Sequence, residues 1–138
     1  MFKIVLASHG TLSKGIESAL QILYGNIENI TCISGYLDEK FDLNDEIEEI
    51  FKSKSQEDTI IVLTDILGGS INNEFMRRLK SEEFYLISGL NLGLVLEILL
   101  LQNNENLEKN LIDIINKTKE SITLCNNLIH NRSIDESF

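Results

Sequence analysis

Two short stretches place chemically capable residues at the ends of apolar runs. His9-Gly10 closes the run Phe2-Lys3-Ile4-Val5-Leu6-Ala7-Ser8, and Asp65 closes Thr59-Ile60-Ile61-Val62-Leu63-Thr64 before the turn Ile66-Leu67-Gly68-Gly69-Ser70. A neutral imidazole is a nucleophile, and a carboxylate on its other ring nitrogen fixes the tautomer and stabilises the cation formed on attack. A Gly-Gly turn that opens a helix can offer backbone N–H groups to an anion, and a serine there adds a hydroxyl, which suits a phosphoryl group. Phosphoryl transfer asks mainly for positioning and charge stabilisation, so few residues suffice. His9 and Asp65 are the catalytic candidates; Gly10, Gly68, Gly69 and Ser70 are the phosphate-binding ones. Plainer roles stay open. Asp65 can cap its turn, Gly68 and Gly69 can simply let the chain reverse, and Ser70 can be a helix N-cap.

These groups meet only if the elements carrying them end at one edge. The apolar pattern alternates short buried runs with longer amphipathic segments, the signature of an α/β fold. Strands are expected at Phe2 to about Ser8, Ile30 to Tyr36, Thr59 to Asp65 and Phe84 to Ser88. Helices are expected at Lys14 to Tyr24 (Ile16, Ala19, Leu20 and Leu23 inward), Asp42 to about Lys54 (Ile47, Ile50 and Phe51 inward), Ile71 to Leu79, Leu92 to Gln102 and Leu107 to Glu120. Ser121 to Asn126 fits a helix extension or a short final strand, and the strand is expected. Four βα units in series imply right-handed crossovers and a doubly wound, mostly parallel four-stranded sheet with helices on both faces. In such sheets the first strand is central and ligands collect at the carboxyl edge, by the topological switch. His9 and Asp65 would face each other across that crevice. Residues 1–126 read as one domain and 127–138 as a tail with little periodicity.

Composition removes several function classes. The 138 residues carry 22 acidic and 12 basic side chains, a formal charge of −10, which opposes docking on nucleic acid or anionic lipid. Cys32 and Cys125 lie far apart without a CxxC pair and read as buried, reduced thiols. With two histidines and no paired cysteines, no metal site is expected, and no cofactor. His130 reads as incidental, and Tyr24, Tyr36 and Tyr85 as core or interface aromatics. The chain lacks a P-loop, a GxGxxG loop and a GxSxG elbow. Without a signal-peptide pattern or a spanning apolar run, a cytoplasmic protein is expected.

Three segments in this order and spacing resemble one family: Ile4-Val5-Leu6-Ala7-Ser8-His9-Gly10, Asp65-Ile66-Leu67-Gly68-Gly69-Ser70 and Ile87-Ser88-Gly89-Leu90-Asn91-Leu92. From about residue 1 to 120 the chain resembles the IIA component of the mannose-type bacterial sugar phosphotransferase system. The resemblance implies that His9 takes a phosphoryl group, on Nε2, from the histidine-containing phosphocarrier protein and passes it to a IIB component. It makes Asp65 the acidic partner of that histidine, and Ser70 with Gly68-Gly69 the loop on the phosphate side. It also implies a homodimer in which a C-terminal strand is exchanged and pairs antiparallel with the partner's sheet, a place for Ser121 to Asn126. Contact with the membrane would be indirect, through IIC and IID components. The chain departs from the family in carrying Ile71 and Gly93 where prolines are usual. Three other readings compete. One is the subunit feeding a phosphotransferase-dependent dihydroxyacetone kinase, and another a non-catalytic binding module. The third, a receiver-like domain phosphorylated on Asp65, expects an acidic cluster near the first strand's end, where this chain has Ala-Ser-His.

Overall fold

The computed structural model describes residues 2–102 and 105–130, with the side chain of His130 outside that description. The chain forms two compact units, one ending at Val95 and the other beginning at Leu96. The first unit is built on four strands, β1 (Phe2–His9), β2 (Ile30–Gly35), β3 (Thr59–Thr64) and β4 (Tyr85–Ser88). They lie in the order β2-β1-β3-β4 and every pair is parallel. β1 and β3 are buried nearly throughout, which is why both read as continuous apolar runs rather than alternating ones. The register sets Ala7 opposite Thr64 and His9 opposite Gly35, so the three strands stop at a common edge.

The helices between them are α1 (Leu12–Tyr24), α2 (Leu43–Lys52) and α3 (Ser70–Arg78). On one face Val5, Ala7, Ile33, Ile60 and Val62 pack with Ile47 of α2 and with Ile71 and Phe75 of α3. Alternation turns Ile4, Leu6, Ile61 and Leu63 to the other face. The right-handed β1–α1–β2 crossover, running the opposite way along the sheet, sets α1 and its buried Ile16 and Leu20 there. Phe75 is wholly buried, and truncating such a ring costs about 3–5 kcal/mol. α2 starts as expected, with the Asp42 side chain accepting from the Asp45 N–H.

α4 (Leu92–Leu99) starts in the first unit, where Asn91 Oδ1 accepts from the Leu94 N–H. The second unit holds α5 (Leu107–Ser121) and α6 (Cys125–His130). Leu107, Leu111, Ile114 and Thr118 form the buried stripe of α5, and Lys117 pairs with Glu97 at 2.7 Å. Among the described residues no helix is long and apolar enough to cross a membrane.

Several expectations need correction. Residues 121–126 form no strand in this chain: α5 runs to Ser121, 122–124 are irregular, and α6 opens at Cys125. A stretch this short carries too little periodicity to separate strand from helix, and its asparagines favour the latter's ends over a sheet. The expected tail thus begins inside α6, while its part beyond residue 130 lies outside the described residues. Leu23 is exposed, so Ile16 and Leu20 carry the burial of α1. Cys32 is half-buried and Cys125 exposed, both as free thiols. Burial pushes the Cys32 thiol up to about 11, with Glu17 nearby adding to it, so it stays protonated at neutral pH.

Candidate functional site

β1 delivers His9 to the sheet edge at the point where strand order reverses between β1 and β3. Gly10 sits at φ 57°, a left-handed conformation that lets the chain leave the strand at once, and its N–H donates to the Gly35 carbonyl at 2.8 Å. Behind it, buried Ser8 accepts from the Ser13 N–H at 2.8 Å, and Ser13 donates its hydroxyl to the Ile33 carbonyl at 3.1 Å. These two serines tie the start of α1 to β1 and β2, so the histidine leaves a fixed platform.

Asp65 follows β3 directly and meets His9 as expected. Its Oδ2 accepts from the His9 backbone N–H at 2.8 Å and lies 2.8 Å from His9 Nδ1, while Oδ1 accepts from the Ile66 N–H at 3.0 Å. Burial would raise the carboxyl's pKa, but the two bonds from His9 and the one from Ile66 outweigh it and hold the group below the ordinary carboxylate range. An ionised Asp65 accepts the Nδ1 proton, which leaves the lone pair of a neutral imidazole on Nε2. The Asp65 side chain is only 6 % exposed and that of His9 47 %, so the carboxylate is sheltered while the ring faces incoming groups.

The turn after Asp65 brings Gly69 against the imidazole: a Cβ there would lie 3.7 Å from His9 Cε1 and 3.2 Å from the Ile66 carbonyl oxygen. Gly68 at φ 80° makes the reversal. Gly69, rather than Ser70, occupies the N-cap of α3, and Ser70 is the helix's first residue. The N–H groups of the turn find acceptors inside the protein, Gly68 at Asn72 Oδ1 (3.3 Å) and Gly69 at the Ile66 carbonyl (3.1 Å). The N–H groups of both glycines are thus engaged within the turn, while Ser70, the first residue of α3, is exposed beside them.

Two residues that sequence reasoning missed complete the arrangement. Asn72, buried in α3, donates from Nδ2 to Thr64 Oγ1 at 2.8 Å while accepting from Gly68, and so locks the turn to the end of β3. Tyr36 had been expected in the core or an interface. It is exposed rather than in the core, its ring lies beside His9 with centroids 5.4 Å apart and planes tilted by 33°, and its hydroxyl is 2.8 Å from Ser70 Oγ. The signal available for Tyr36 was its place just beyond the carboxyl end of the strand paired with β1. The third expected segment also reaches this edge, since the Gly89 and Leu90 N–H groups both donate to the Thr64 carbonyl at 2.9 Å. Among the described residues no group of three His, Cys, Asp or Glu side chains is arranged to hold a metal ion.

A family model described as PTS system fructose IIA component matches residues 3–115. Among solved structures, the chain is 35% identical to a protein from Klebsiella pneumoniae subsp. pneumoniae assigned as a phosphoenolpyruvate-dependent sugar phosphotransferase system permease, with 93% of each chain covered and a TM-score of 0.86. It is 25% identical to the phosphotransferase system component EIIA of Streptococcus agalactiae, covering 92% of this chain and 99% of that one at a TM-score of 0.72. The mannose/sorbose specific IIA subunit from Enterococcus faecalis shares the fold at a TM-score of 0.78, with 19% identity over 99% of this chain and 98% of that one. No curated protein matches the chain.

Proposed function

The chain belongs to the mannose-type IIA family of the sugar phosphotransferase system, and from that premise we propose that His9 is the residue that carries the phosphoryl group. The observation behind this assignment is the pairing of an exposed imidazole with a sheltered carboxylate at a shared edge of β1 and β3. With Nδ1–H held by Asp65, the Nε2 lone pair attacks phosphorus. The bond from phosphorus to the donor's nitrogen breaks and its electron pair leaves with the donor. Asp65 keeps the Nδ1 proton in place and stabilises the positive charge that the ring acquires. Ser70, with its Oγ and its N–H at the start of α3, receives the phosphoryl oxygens, while Gly10, Gly68 and Gly69 shape the space. The reverse sequence passes the group on.

The donor in this reading is the histidine-containing phosphocarrier protein and the acceptor a IIB component, with this chain working as a homodimer in the cytoplasm. Leu12, Leu37, Ile66 and Leu67 are exposed on the segments next to His9, apolar surface of the kind that transient protein partners cover. Incubation with enzyme I, the phosphocarrier protein and phosphoenolpyruvate should place acid-labile phosphate on the wild type and none on His9→Ala. Undiminished labelling of that variant would reject His9 as the carrier.

A further inference from the structure

We propose that Tyr36 is a positioning residue of the phosphoryl site, holding the His9 imidazole with its ring and aiming the Ser70 hydroxyl with its own. The proposal rests on the carrier reading of His9 and Ser70. Tyr36 stands at φ 63°, in the left-handed region that a residue with a β-carbon enters only at a cost. Glycine would take this conformation freely, so the position retains a tyrosine against the preference of its backbone. Core burial does not account for that, because Tyr36 is 52% exposed.

What the side chain does touch is the site. One side of the ring meets His9, and Phe41 braces it edge-on, with centroids 5.1 Å apart and planes at 81°. Asp65 fixes the imidazole at Nδ1, but a single hydrogen bond leaves the ring free to tilt about it. Tyr36 supplies the second constraint, against the ring's flank. The phenol then reaches Ser70 Oγ at 2.8 Å, linking the end of β2 to the first residue of α3. A phenol is the more acidic hydroxyl of such a pair and the natural donor. Ser70 Oγ is then the acceptor, and its own proton is directed away from Tyr36, available to a phosphoryl oxygen. No bond to Tyr36 forms or breaks in transfer.

The test compares wild type with Tyr36→Phe, Ser70→Ala, the double variant and Tyr36→Ala. Transfer is measured from the phosphorylated phosphocarrier protein, and the His9 ring nitrogens are followed by NMR in the unphosphorylated protein. Tyr36→Phe should lower kcat by about tenfold, the scale of one well-placed hydrogen bond, with KM within about twofold of wild type and His9 resonances unmoved. The double variant should be no slower than Ser70→Ala alone, because the two hydroxyls act in series. Tyr36→Ala should shift the His9 ring resonances as well. Losses that multiply in the double variant, a raised KM at unchanged kcat, or His9 resonances indifferent to Tyr36→Ala would each overturn the proposal. Failure of the carrier reading looks different, as retained labelling of His9→Ala, and the NMR comparison still reads the Tyr36 contact in that case.

Discussion

One carboxylate oxygen, Asp65 Oδ2, stands 2.8 Å from the backbone nitrogen of His9 and 2.8 Å from its ring Nδ1. The first bond anchors the carboxylate to the end of β1 whatever the ring does. The second can therefore orient the ring rather than be oriented by it. This double hold converts the meeting of two strand ends into a defined tautomer with Nε2 outward.

Asp65→Asn, with its carbonyl oxygen in the place of Oδ2, keeps the acceptor for both His9 donors, loses the one for the Ile66 N–H and removes the charge that favours the imidazolium-like state. Transfer should fall by about a hundredfold or more, by analogy with carboxylate-to-amide changes behind other catalytic histidines. Weakening bonds to a charged acceptor costs about 1–3 kcal/mol, so the melting temperature should drop by several degrees with the fold retained. Phosphoryl-transfer rates and a thermal melt check both parts. Transfer at the wild-type rate would leave Asp65 as a turn residue only.

The depressed pKa of Asp65 also links its charge to stability. A carboxyl held below its unfolded value of 3.8 contributes in full above that value, and the contribution disappears as pH falls through the lower folded value. The stability difference between wild type and Asp65→Asn should shrink as pH drops below about 4. Asp58 is lowered to about 2 by its bonds from Lys3 and Ser55, and it titrates in the same window. It is present in both proteins, so the comparison cancels it. Denaturant melts between pH 5 and pH 2.5 give the curve, and a difference that grows over that range contradicts the assignment.

His9 and Asp65 were legible in the sequence because a polar residue at the end of a fully apolar strand has one place to go, the carboxyl edge of the sheet. Thr59–Thr64 and Phe2–His9 announce themselves as central by lacking any polar face. Tyr36 was not legible, since its role depends on the register that pairs His9 with Gly35 and on a left-handed backbone that no composition rule assigns to tyrosine. Asn72 was hidden for the opposite reason: in an amphipathic helix an asparagine reads as solvent-facing, and only the fold turns it inward to Thr64. The residues after Ser121 misled because six residues do not hold enough of a period to decide between strand and helix.

Asn72 is the hinge between core and turn, and its removal should show in both. Asn72→Ala leaves Thr64 Oγ1 and the Gly68 N–H without their partner in a site where Asn72 is only 2% exposed. The expected cost is about 1–3 kcal/mol, with slower transfer because the turn that seats Gly69 against His9 loosens. A denaturant titration and a transfer assay measure the two effects. A stability change below about 0.3 kcal/mol would mean that the turn holds itself.

Tyr36→Gly separates strain from function. Replacing a residue at φ 63° by glycine relieves about 1–2 kcal/mol, while losing the edge-on contact with Phe41 gives back about 0.5–1.5 kcal/mol. Glycine's extra freedom in the unfolded chain takes a further share of the gain. These terms nearly cancel, so the melting temperature should stay within a few degrees of wild type. Transfer should nonetheless fall, because His9 loses its flank and Ser70 its partner. A residue kept for the fold would behave in the reverse manner, with a marked loss of stability and an unchanged rate per folded molecule. A melt and a transfer assay on the same preparation distinguish the two, and only a near-neutral melt with impaired transfer fits a tyrosine held in a costly conformation for the sake of the imidazole beside it.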